Sequence, residues 1–179
     1  KREINELHQE LTDLVRMSEV NWEKFVDSLV HMLALRDNET EEHAWRVMEL
    51  TEKTAIALNI TGTLLLHFRW GAILHDIGKV GIPDVILLKP GELTHEERAV
   101  IMMHPQIANQ ILEPLGLPHE TLEIPLSHHE RWDGTGYPMG LAGEKIPLSA
   151  RIFAIIDVWD ALTHERPYSD DTARVIDAE

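Results

Sequence analysis

The chain contains no cysteine. That excludes disulfide staples, thiolate metal sites and thiol nucleophiles, and it suits a reducing cytoplasm. Basic residues are scarce: 16 Lys and Arg stand against 31 Asp and Glu, for a formal charge of −15. A general nucleic-acid-binding surface needs clustered Lys and Arg, and this balance argues against one. A small anionic substrate is not excluded, because bound divalent ions can be the largest local charges in a site. No apolar run approaches the roughly 20 residues that span a bilayer, and the N-terminus carries no signal-peptide pattern. The alternation that marks half-buried strands is missing, as are internal repeats and low-complexity tracts.

What is present is helical. With 179 residues, 44% of them hydrophobic, the chain fits one domain with a proper core. It starts at Lys1 and opens mid-helix, which is expected of a piece of a longer protein. Ile4, Leu7, Leu11 and Leu14 keep coiled-coil spacing until Ser18 and Asn21 interrupt it. Residues 1–35 are thus read as an N-terminal helix, serving as signalling linker and dimer contact or packed on its own domain. Residues 36–179 form the second unit. Helices are expected from about Thr40 to Leu58, from Thr61 or Gly62 to His75-Asp76, and from Thr94 through His104. Another precedes His128, and one covers RIFAIIDVWDALT. Thr94 and Glu97 have capping-box spacing. Residues 80–93 and 133–147 are expected as loops on their Gly and Pro content. The fold expected is an all-α, single-domain helical bundle.

Eleven histidines concentrate the chemistry. Glu39 and His43, four apart, share a helix face. Read alone, a surface acid and a surface His explain them, and the pair gains meaning only from its company. His75-Asp76 ends an apolar helix, where a buried charged pair is costly without partners. As an isolated dipeptide it also arises by chance. Adjacent helical residues diverge by about 100°, so the pair must serve different ions or a carboxylate must bridge two. Lys79, one turn on, is placed to aim an ammonium at a phosphate.

His104 sits on an apolar helix, where a lone His is ordinarily a satisfied core residue. Its neighbour Pro105 suggests a local break. In HHERWDGTGYP, residues 128–138, His128 and His129 precede a backbone shaped by Gly134, Gly136 and Pro138. Gly lets the backbone approach a ligand closely, and Tyr137 adds a ring and a hydroxyl. Asp157 is an acid on a very apolar helix, either a ligand or a buried liability, with ligand the preferred reading. Asp160 is either a ligand's outer partner or exposed. Imidazoles and carboxylates together are what Fe, Mn or Zn takes. His8, His31, His67, His95, His119 and His164 are assigned to surface or core.

The strings HDIGKVGIPDVILLKPGELTHEER and HHERWDGTGYPMGLAGEKIPLSARI resemble the HD-GYP subgroup of the HD-domain phosphohydrolases, from about Leu35 to Tyr168. The resemblance implies a helical bundle with two or three divalent ions, usually iron, with Mn or Zn as alternatives. It implies hydrolysis of cyclic di-GMP to pGpG and often GMP, and in some members of cyclic GMP-AMP. It makes His43, His75, Asp76, His104, His128, His129 and Asp157 metal ligands, with Asp76 bridging, and Glu39 the ligand of a third ion. Lys79 would contact phosphate and Arg166 would lie near the substrate. Asp133, Gly134, Gly136, Tyr137 and Pro138 would form the signature loop on the substrate side. Asp76 and Lys79 are the catalytic expectations.

Where the family often carries another basic residue this chain has Ser169-Asp170-Asp171, so one phosphate contact is expected to be missing. The chain ends short of the final helices such domains usually have. Fused sensor or receiver domains and a homodimer through the first helix are further expectations, as are a cytoplasmic setting and no contact with a membrane or a nucleic-acid polymer. The rivals are a decayed module that only binds a cyclic dinucleotide or a partner, and a hydrolase of another nucleotide.

Overall fold

Residues 2–37 and 41–164 are described by the structure, a computed structural model; Glu39 and Arg166 lie outside them. Among the described residues the regular elements are helices, and the one β-type pairing is an isolated bridge between Asp133 and Ala142. The helices are α1 (Arg2–Ala34), α2 (Glu41–Ala57), α3 (Gly62–Ile73), α4 (Asp84–Leu87), α5 (His95–Ile101), α6 (His104–Leu112), α7 (His119–Ser127) and α8 (Leu148–Thr163). None is long and apolar enough to cross a membrane.

The core forms where helical spacing puts apolar side chains on facing stripes. Helix α2 packs against α3 and α8, while α7 packs against α3, α6 and α8. Val47 and Ala55 of α2, Phe68 and Ala72 of α3, Ala108 and Leu112 of α6, Ile124 of α7 and Phe153 of α8 are all buried between them. The C-terminal turns of α1 join the same core through Val26 and Val30. Trp22 of α1 meets Trp70 of α3 with ring centroids 5.4 Å apart.

Three boundaries differ from expectation, each near the site. Helix α3 stops at Ile73, so His75 and Asp76 stand in the connection that follows rather than on the helix. The expected loop over 80–93 contains the end of a 3-10 turn, Ile77–Gly81, and the short helix α4. Gly78 lets that turn pack against the start of α6: a Cβ there would stand 1.9 Å from the His104 carbonyl oxygen. The expected single helix from Thr94 is two. Pro105 lacks an N–H and suits a first turn, where that donor would have no intrahelical partner; α5 ends at Ile101 and His104 opens α6. The capping box is formed: Thr94 Oγ1 accepts from Glu97 N at 3.2 Å, and Glu97 Oε2 accepts from Thr94 N at 2.8 Å.

Candidate metal centre

Helix ends deliver most of the site residues, and the body of α8 supplies Asp157. The connection after α3 brings His75 and Asp76, the start of α6 brings His104, the end of α7 brings His128 and His129, and α2 and α8 bring His43 and Asp157. They gather into two groups. His43, His75 and Asp157 offer ligand atoms within 4.8 Å of one another, as do Asp76, His104, His128 and His129. All except the half-buried His129 are buried.

Asp76 faces both groups. Its Oδ2 lies 3.0 Å from His75 Nε2, and its Oδ1 lies 3.3 Å from His104 Nε2 and 3.8 Å from His128 Nε2. The expected divergence of adjacent helical residues does not arise, because the helix has already ended.

Four imidazoles are oriented by their outer nitrogen. His75 Nδ1 donates to the Ala72 carbonyl at 2.8 Å, His104 Nδ1 to Ile101 at 2.9 Å and His128 Nδ1 to Ile124 at 3.0 Å. His43 Nδ1 donates to Asp160 Oδ2 at 2.7 Å. Carbonyl and carboxylate oxygens only accept, so the proton sits on Nδ1 and each Nε2 lone pair points inward. This is the arrangement metal-ligating histidines ordinarily have.

Those lone pairs are poorly matched to one another. His104 Nε2 and His128 Nε2 stand 3.3 Å apart, and Asp76 Oδ1 is buried among them without a hydrogen-bond donor. Facing lone pairs and a carboxylate oxygen repel unless a cation lies between them. The residues therefore fit divalent transition metals, in number and in donor type.

Burial, aided by neighbouring His129, His104 and His75, pushes the His128 imidazole well below its ordinary range, and burial also lowers that of His104. Both are thus in the neutral form that binds metal. Burial alone would raise the Asp76 carboxyl, but His75, Lys79 and His104 together hold it well below the ordinary carboxylate range. Lys79 Nζ is 2.9 Å from Asp76 Oδ2 and 3.3 Å from Asp37 Oδ2.

The signature loop closes the outer side. Tyr137 stacks on His129 with centroids 4.7 Å apart, and its N–H donates to the His129 carbonyl at 3.2 Å. Gly136 is needed because a Cβ would stand 2.3 Å from the Arg131 nitrogen. The close approach expected of this glycine is thus to the chain itself. Gly134 adopts φ +83 and the Tyr137–Pro138 peptide is cis. Asp133 Oδ1 accepts from Thr135 N at 2.9 Å, a local turn at the loop's exposed start.

The structure thus brings seven expected ligands together and sets Lys79 beside Asp76. Expectations for Glu39, for Arg166 and for Ser169-Asp170-Asp171 lie outside the described residues. Sequence reasoning assigned no role to Asp37, Arg46 or Glu130. Buried Glu130 accepts from Met139 N at 2.7 Å and Leu141 N at 2.8 Å, which fastens the loop. Its place beside His129 in the string was the available signal. Asp160, left open from spacing, is buried and is the partner of both His43 and Arg46.

A family model described as the HD domain matches residues 27–178, and the chain belongs to this family. It is 39% identical over 176 residues to a cyclic di-GMP phosphodiesterase of Thermotoga maritima, covering 93% of this chain and 48% of that protein. It is 44% identical over 168 residues to a cyclic di-GMP phosphodiesterase of Vibrio cholerae, covering 83% of this chain and 34% of the relative. A 3'3'-cGAMP-specific phosphodiesterase 2 of Vibrio cholerae is 40% identical over 149 residues, covering 82% and 28%. The chain thus spans half or less of the length of these curated relatives. Among solved structures, the HD domain of the L. monocytogenes phosphodiesterase PgpH, in complex with cyclic-di-AMP, superposes with a TM-score of 0.58. That match has 22% identity and covers 84% of this chain and 80% of the other, a likeness of fold.

Proposed function

We propose that this chain is the catalytic unit of a phosphodiesterase that hydrolyses cyclic di-GMP to linear pGpG, with GMP as the product where the second phosphodiester is also cleaved. The observation that carries the reading is the pair of ligand groups with Asp76 facing both. His43, His75 and Asp157 would hold one divalent ion, and His104, His128 and His129 a second, with Asp76 bridging. Iron is the preferred metal, ahead of Mn or Zn, and Glu39 would serve a third ion.

Bound there, the ions would supply the Lewis acidity that activates water and neutralises phosphate charge. The chain's own residues do the rest. Lys79, half-buried beside the centre, donates to a non-bridging phosphate oxygen as charge develops there. Asp37 and Asp76 hold its ammonium in that position. The loop of Gly134, Gly136, Tyr137 and Pro138 forms the substrate-side rim, and Arg166 contributes positive charge near the substrate.

His75→Ala is expected to lose metal and turnover together; wild-type turnover in that variant contradicts the mechanism. A specific observation raises a second substrate, cyclic GMP-AMP: the relative named for 3'3'-cGAMP is 40% identical, between the 39% and 44% of the two named for cyclic di-GMP. Competition between the two dinucleotides decides. A metal-free protein that still bound cyclic di-GMP would favour a binding module.

Assembly would run through α1, where Phe25 and Met32 are exposed and stand seven residues apart, in the register of Ile4 and Leu11 and resuming after the break at Ser18. A homodimer along α1, with a fused sensor or receiver domain and a cytoplasmic setting, fits that helix. A strict monomer in light scattering counts against the dimer.

A further inference from the structure

Helix α1 ends two residues before Arg36, and its last turns border the centre. Val30, Leu33 and Ala34 line a cleft together with His43, His75 and Asp76. Arg36 lies between this helix and the turn that carries Lys79. Its Nη1 donates to the Val80 carbonyl, its Nη2 to the Ile82 carbonyl at 2.5 Å and its Nε to Asp84 Oδ1 at 2.8 Å. The last carbonyls of a helical turn have no partner within it and need donors from elsewhere. A guanidinium fork can serve two carbonyls and a carboxylate at once, which an ammonium on a flexible stem cannot hold in one geometry.

We infer that Arg36 is a positioning residue: it ties the end of α1 to the backbone of the Ile77–Gly81 turn and so fixes Lys79 over Asp76. Asp37, the next residue, meets Lys79 from the same segment, so the end of α1 holds both the backbone and the ammonium of the phosphate-contacting lysine. A shift of α1 would therefore move Lys79 relative to the carboxylate it sits on. The inference rests on the phosphodiesterase reading for its kinetic consequence, but its structural half is independent of substrate.

The test uses the full chain loaded with metal. Arg36→Ala is expected to keep its metal content and lose about tenfold in kcat/KM for cyclic di-GMP. Because it acts through Lys79, adding Lys79→Ala to it should bring the protein only to the level of Lys79→Ala alone. Amide hydrogen exchange is expected to rise at least about tenfold over residues 77–82, with α6 and α7 unchanged. Fully additive losses in the double variant, or unaltered exchange over 77–82, overturn the inference. Should Arg36→Ala fail to fold, Arg36→Lys carries the same tests, since it keeps the charge and loses the fork. A wild-type protein inert towards cyclic dinucleotides would sink the substrate reading, and the exchange measurement would still decide the role of Arg36.

Discussion

Asp160 accepts the Nδ1 proton of His43 at 2.7 Å across a sequence separation of 117 residues. Arg46 Nη2 donates to the same oxygen at 2.7 Å. Burial alone would raise the Asp160 carboxyl, but Arg46 and His43 hold it below the ordinary carboxylate range. The anion thus fixes the tautomer of His43 and turns Nε2 toward Asp157, 3.6 Å away. Helix α8 therefore supplies both a candidate ligand, Asp157, and the group that aims another, His43.

Asp160→Asn removes the charge that orients His43 while keeping the shape. Outer partners of metal-bound histidines are worth about 10–100-fold in metal affinity. A loss of that size in metal titration is expected, and unchanged affinity would rule out the orienting role.

The two ligand groups predict different stoichiometries for two carboxylates. Asp157→Ala should leave the His104, His128 and His129 group loaded and reduce metal content by about one ion. Asp76→Ala should weaken both. Elemental analysis after desalting distinguishes them, and equal losses would contradict the bridging role.

Glu130→Ala leaves the Met139 and Leu141 amides without their acceptor. A hydrogen bond to a charged group contributes about 1.5–3 kcal/mol. A drop in melting temperature is expected, together with weaker turnover and near-normal metal content. Loss of metal equal to loss of turnover would mean that Glu130 acts on the ligands themselves.

Acid should destabilise the metal-free protein in two stages. His104 and His128 bind protons less readily folded than unfolded. The unfolded chain takes up more protons as pH falls below about 6.5, and stability drops there. Asp76, held low in the fold, contributes stability above about pH 4 that is lost as pH falls through its depressed folded value. Thermal melts between pH 8 and 3 follow both stages, and a melting temperature flat from pH 8 to 5 would exclude the first.

Much of the fold and of the centre is legible in the amino-acid sequence. Helical spacing locates α2, α3, α7 and α8, and the capping box marks the start of α5. The residues of the two candidate ligand groups stand out in the sequence because imidazoles and acids on apolar helices are costly without a purpose. Which distant residues meet is not legible. Asp160 approaches His43 only because α8 packs on α2, and Asp37 reaches Lys79 only because α3 ends early enough for the 3-10 turn to lie beside α1. Pro105 signals the break before His104, but its position depends on how the new helix leans against Gly78.

The most direct measurement is turnover of cyclic di-GMP by anaerobically purified protein loaded with Fe(II) or Mn(II), with products separated by chromatography. The account predicts pGpG, followed by GMP if both phosphodiesters are cleaved. Intact cyclic di-GMP with both ions verified in place would contradict it.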